Sequence, residues 1–316
     1  MSSRALVGST KYVVVSHSVT SCSAVLTTDV NRVLHVCTGD GRSIVGGSVS
    51  IPNASTVSVN TTVDEYGAAQ VAGSTVTVTG GSTTLSGTCI LGGTFSPADG
   101  LVIASGSTIS GVGTGAVISG VTNSTAISVY NSTISISNMV FDDIYNTSTS
   151  SQSQMALFFG GFINLTNCKF TNYHHSTTAT GIFYGVQGMA ISNCYFRRDG
   201  AKHDIYTTSP SATVSISGST FYSIVSYNSS TIRLSGFNKV EYLVGKINDA
   251  SGSDNVILVN GSTTNITASA RNAPIKSNQV TVEGTATIVY SGGTVKVTGT
   301  GSYFAKDGTT DLTIVS

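Results

Sequence analysis

Between Asn131 and Tyr222 the chain alternates apolar and polar residues with period two, in a phrase that is written four times. The copies are Ile134-Ser-Ile136-Ser-Asn138-Met139-Val140-Phe141, Ile163-Asn-Leu165-Thr-Asn167-Cys168-Lys169-Phe170, Met189-Ala-Ile191-Ser-Asn193-Cys194-Tyr195-Phe196 and Val214-Ser-Ile216-Ser-Gly218-Ser219-Thr220-Phe221. Period two predicts a strand with one buried face. The Asn or Gly in the middle is the residue type that accepts a left-handed backbone at low steric cost. Each phrase therefore reads as strand, one-residue bend, strand. The closing Phe residues recur in steps of 29, 26 and 25 residues. Self-similarity at that period predicts a solenoid, in which each turn rests on the one before.

Stacked turns place Asn138, Asn167 and Asn193 in one column, with amides able to bond from turn to turn. Cys168 and Cys194 share the next column, facing inward, and Phe141, Phe170, Phe196 and Phe221 stack inside. The expected core positions are Ile134, Ile136, Ile163, Leu165, Ile191, Val214 and Ile216 together with these rings. A looser form of the bend, a Gly two positions after an inward aliphatic, continues the count at Gly80, Gly111, Gly236, Gly261, Gly284 and Gly299.

On these repeats the chain resembles the right-handed parallel β-helix of the pectin-lyase-like superfamily, over roughly residues 50 to 316. The likeness is one of architecture. Ile-Ser-Asn-Cys-x-Phe is a rung shared by surface adhesins, autotransporter passengers, viral tailspikes and polysaccharide lyases. It implies an all-β, single-stranded parallel β-helix with rungs of roughly 23–31 residues, and a surface location. It carries over no catalytic residue. Residues 1–50 fit the repeat worst and are expected to cap the first turn of the 51–316 helix, covering an otherwise open sheet edge. Within them Lys11–Ser18 reads as a strand, Asp29–Cys37 as a helical turn or a strand, and Gly39-Asp40-Gly41 as a turn.

Composition narrows the function classes. The 15 basic and 15 acidic residues cancel, and only 9% of the 316 residues are charged. Nucleic acid is bound through phosphate neutralisation by Lys and Arg, so it is an improbable partner. The 35 Gly and abundant Ser and Thr would suit a disordered linker, but 40% of residues are hydrophobic and they alternate regularly. The five cysteines have no CxxC spacing, which argues against a zinc site. Cys22 and Cys37 are a candidate disulfide, whereas Cys168 and Cys194 read as small buried hydrophobes. The longest apolar run near the start is Tyr12–Val15, too short for a secretory signal, and no run approaches a membrane span. No cofactor or metal is called for. Nine Asn-x-Ser/Thr sequons permit glycosylation and do not establish it.

Candidate chemistry sits just after the Phe column: Asp142 and Asp143, then His174 and His175, then Arg197, Arg198, Asp199, Lys202, His203 and Asp204. Turns about 4.8 Å apart would gather these into one surface patch. Lyases of the resembled fold use a basic Arg or Lys, and its hydrolases use paired Asp. Asp142, Asp143, Arg197, Asp199 and His203 echo both without completing either set. Paired carboxylates act as acid and base only when their pKa values are driven apart. The plainer reading is a solvated cluster of compensating charges, and composition favours it. Thr75-Val-Thr77-Val-Thr79 offers an outward hydroxyl row of the kind that binds ice, although strand preference for Thr explains it as well.

The expected function is therefore a non-enzymatic structural or adhesive surface protein: a fibre, spike or decoration protein of a virion or cell surface. Its expected partners are further copies of itself or a larger shell, with glycans beside them. The rival is a polysaccharide lyase or glycoside hydrolase acting through the central cluster, and a third reading is an ice- or glycan-surface binder.

Overall fold

A computed structural model describes the strands between Ser23 and Val315 and many of the bends that join them. Residues 1–22, connections such as 148–157, 176–180, 198–202 and 247–254, and side chains before Leu85 lie outside that description. The expected strand at Lys11–Ser18, the turn at Gly39–Gly41, the bend at Gly80 and the Cys22 half of a disulfide lie outside it too.

The fold is all-β, a parallel β-solenoid with no helix among the described residues. It divides into two compact units, Met1–Thr149 with Phe170–Ser176, and Ser150–Lys169 with Thr177–Ser316. In the first unit three columns of parallel strands are built by successive turns of chain. One column stacks Ser48–Pro52, Thr75–Thr79, Thr94–Pro97, Val117–Asn123 and Val140–Asn146. A second stacks Ser23–Thr28, Thr56–Asn60, Ser82–Ser86, Leu101–Ile103 and Ile127–Val129. The third stacks Ala68–Ala69, Thr88–Leu91, Thr108–Gly111 and Thr133–Ser137.

In-register stacking follows from the period-two pattern, because a slip by one residue would turn every aliphatic outward. Phe95, Ile118 and Phe141 accordingly lie in register and are buried. The N-terminal segment contributes Ser23–Thr28 to the second column; Leu34–Cys37 folds back on it antiparallel, and Ser43–Val45 in turn pairs antiparallel with Leu34–Cys37. Asp29–Cys37 thus ends as strand. The first stretch both starts the parallel stack and adds an antiparallel edge to it.

The second unit repeats the plan. Its longest column runs Phe162–Thr166, Gly188–Ser192, Thr213–Ser217, Thr231–Ser235, Asn255–Leu258 and Gln279–Tyr290. The chain then reverses: Gly293–Lys306 and Thr310–Val315 continue antiparallel. Gly299 lies opposite Val282 in this antiparallel hairpin, so the expectation of a further parallel rung there is corrected. Gly111 is corrected as well. It ends a strand without positive φ, and a Cβ there would fall 1.9 Å from the carbonyl oxygen of Asn138. Gly stands at 111 for close approach of two backbones.

The expected core residues are all buried, from Ile134 through Phe221. Each such side chain removed from water contributes about 1.5–3 kcal/mol. Phe141 and Phe170 stack face to face at 4.9 Å, while Phe196 meets Phe183 edge-on at 6.0 Å. At the bends, φ is 56° for Asn138, 54° for Asn167, 53° for Asn193, 62° for Gly218, 60° for Gly236, 74° for Gly261 and 76° for Gly284. The backbone hydrogen bonding does not stop at them: the main-chain N–H groups of Asn167 and Asn193 donate to the Ser192 and Ser217 carbonyls at 2.9 Å.

Candidate functional site

The candidate residues fall into separate settings. Asp142 and Asp143 lie on Val140–Asn146, one and two positions past Phe141. Asp142 Oδ1 accepts hydrogen bonds from Thr171 Oγ1 at 2.9 Å and from Asn172 Nδ2 at 2.6 Å. Asp143 is exposed and has a left-handed backbone at φ 52°. Gly120 takes the same position one turn earlier at φ 69°, since Ser119 and Val121 pair with Asp142 and Ile144. Asn172 repeats it at φ 49°. These three form a second corner in the turn. Asp143 stands there because Asp, with Asn and Gly, tolerates the αL conformation. The signal was present in the sequence: Ile118-Ser-Gly120-Val121, Phe141-Asp-Asp143-Ile144 and Phe170-Thr-Asn172-Tyr173 share one spelling.

Later turns lack Gly or Asx at this corner, and a different device closes it. In Phe221-Tyr222-Ser223 the register slips against Phe237–Lys246. The carboxylate of Asp204, only 1% exposed, accepts the N–H groups of both Tyr222 and Ser223. Those two donors are satisfied by a side chain where the corner breaks the ladder, and a buried N–H without an acceptor is costly.

His203 departs from the expected surface patch. It is 6% exposed, its Nδ1 lies 2.8 Å from Ser223 Oγ, and its ring stacks on Tyr206. Alternation puts His203, Ile205 and Thr207 inward, and Thr207 Oγ1 is hydrogen-bonded to Ser230 Oγ at 2.9 Å. Arg197, by contrast, is exposed. Arg197 and His203 thus do not face one groove. Ser223, the nucleophile a Ser–His pair would need, is itself fully buried. Asp199, Arg198 and Lys202 lie outside the described residues, as do the side chains of His174 and His175.

Cys168 and Cys194 are free thiols in the core, each also bonding a carbonyl two residues back, at Thr166 and Ser192. Hydrogen bonding between the Cys168 and Cys194 side chains holds Cys194 below the ordinary thiol pKa against the upward pull of burial. The next residue in this column, Ser219, is also buried and donates to the Ser217 carbonyl while accepting the Cys194 N–H. Among the described residues no group of three or more His, Cys, Asp and Glu is placed to hold a metal ion.

One feature of the second unit was not anticipated. A groove of about 620 Å³ lies on the outer face of the longest column. Its lining includes Phe162, Asn164, Gln187, Gly188, Ala190 and Thr213. Phe162 is 49% exposed although it belongs to a strand. Its neighbour in register is Gly188, and a Cβ there would come within 2.8 Å of the Phe162 ring. The ring therefore rests on bare backbone and keeps its other side open. The sequence carried a faint mark of this: Phe162 opens its strand out of phase with the inward Ile163 and Leu165.

No protein-family model, curated protein or solved structure matches the chain.

Proposed function

We propose that the chain is a non-enzymatic structural or adhesive protein of a virion or cell surface, a fibre, spike or decoration element. Its partners in this reading are further copies of itself or a larger shell, together with glycans. The observation that supports it best is the employment of the central charges. Asp142 is held by Thr171 and Asn172, Asp143 forms a corner, and Asp204 closes another corner from inside. A general acid or base needs a reacting group within reach, and the carboxylates of Asp142 and Asp204 are engaged with the chain itself, while Asp143 is placed by its backbone. The low charge and outward Ser, Thr and Asn suit a long polar surface that meets its partner by shape and hydrogen bonds.

The test offers immobilised neutral and acidic polysaccharides and follows retained protein and released product together. Retention without new reducing ends or unsaturated products is expected. Release that disappears in both Asp142→Ala and Arg197→Ala would replace this reading with the lyase or hydrolase one.

A further inference from the structure

We propose that the Phe162 groove is a subsite for a neutral pyranose ring of an oligosaccharide, with Phe162 as its stacking platform. This rests on the glycan-binding part of the reading above and adds the place and the ligand class. Four observations converge on it. First, Phe162 is one of three large exposed hydrophobics among the described residues, with Tyr195 and Phe237, and of these it alone lines the groove. Second, the ring lies against Gly188, where a Cβ would come within 2.8 Å of it, so the missing side chain makes the seat for the platform. An aromatic face carries negative potential, and the C–H face of a sugar ring presents positive hydrogens to it. Third, amides and hydroxyls surround the platform: Asn164 and Gln187 supply both donors and acceptors, and Ser211 and Thr213 supply hydroxyls. A sugar has a hydroxyl at nearly every rim carbon and needs such mixed partners.

Fourth, among the described residues none that lines the groove is charged. An anionic sugar would leave its carboxylate without a counter-charge there, so the groove selects neutral rings. Its volume falls within the roughly 300–1,000 Å³ typical of small-molecule sites. The small side chain at Ala190 keeps the floor low beside the platform, so a ring can settle flat rather than edge-on. An exposed apolar patch rimmed by polar groups is the usual mark of such a surface.

The experiment is calorimetry on the full chain with neutral oligosaccharides of glucose, xylose, mannose and galactose, and with an oligogalacturonate as the acidic comparison. A neutral oligosaccharide is expected to bind, and Phe162→Ala to weaken it by about 10-fold or more through loss of stacking. Ala190→Leu, which keeps the platform and fills the floor, should weaken it comparably, and it serves alone if Phe162→Ala does not fold. Phe237→Ala should leave it unchanged. Neutral sugar bound equally well by Phe162→Ala and Ala190→Leu would overturn the site while leaving the glycan reading standing. Binding of the acidic oligosaccharide alone would overturn the ligand class. Loss of self-association in Phe162→Ala, with no sugar bound by the wild type, would make the groove a contact between copies. If no glycan is bound or retained in either assay, site and parent reading fall together.

Discussion

At the scale of single residues, the corners of each turn decide what the side chains are for. Asn193 carries a left-handed φ, and its carboxamide oxygen sits where a Cβ at Gly218 would be, 2.3 Å from it. Val at 193 combines β-branching with positive φ, and it is expected to lower the unfolding free energy by about 1–3 kcal/mol in denaturant titration. Asp143 gives a sharper contrast, because its candidacy as a catalytic carboxylate and its place at a corner predict different things. Asp143→Gly should keep the unfolding free energy within about 1 kcal/mol of wild type, since Gly accepts the same φ. Asp143→Val should cost about 1–3 kcal/mol. The bends at 138, 167, 193 and 218 were legible because Asn and Gly interrupt a strict alternation. The corner at Gly120, Asp143 and Asn172 is spelled just as plainly, but two adjacent Asp residues read equally well as paired carboxylates.

At the scale of strands, register does the work that individual contacts cannot. Each parallel strand is fixed by its inward pair of aliphatics, and the outward positions are left free to vary. Along one outward column this freedom places Arg233 and Glu283 in a two-pronged ion pair at 2.8 and 2.9 Å, spanning the intervening strand Asn255–Leu258. Both groups are partly exposed, so screening keeps its worth small. Arg233→Ala is expected to cost no more than about 1 kcal/mol, and the loss should shrink in high salt. A loss that is large and indifferent to salt would mean that the Arg stem packs, and that charge is secondary. Strand existence and order were readable from period two. The final reversal was not: Val282 to Gly299 carries the same alternation whether the next strand runs parallel or antiparallel, since both bury alternate residues. Gly111 is ambiguous in sequence for a related reason. A Gly required by a neighbour's carbonyl looks the same in sequence as a Gly required by its own φ.

At the scale of the molecule, a solenoid has no single centre, and its stability is the sum of turns and the contacts between them. The low charge leaves few gatekeepers on its sheet faces, so sedimentation is expected to show association that grows with concentration. A strict monomer at high concentration would count against assembly. What was least legible was the site. Phe162 and Gly188 are 26 residues apart and meet only because the turns stack in register. His203 and Asp204 follow a charged stretch that reads as surface loop, yet both are buried because their strand is sandwiched between Gly181–Tyr184 and Thr220–Ser226. The central claim is that the charged residues of the middle turns hold the chain in its path and do not act on a substrate. Equilibrium unfolding of Asp204→Ala tests this most directly. Removing the acceptor of two backbone N–H groups in a buried corner should lower the unfolding free energy by about 2–4 kcal/mol. An Asp204→Ala protein as stable as wild type, or more stable, would show a carboxylate kept at a cost to the fold, as functional groups are, and would contradict the account.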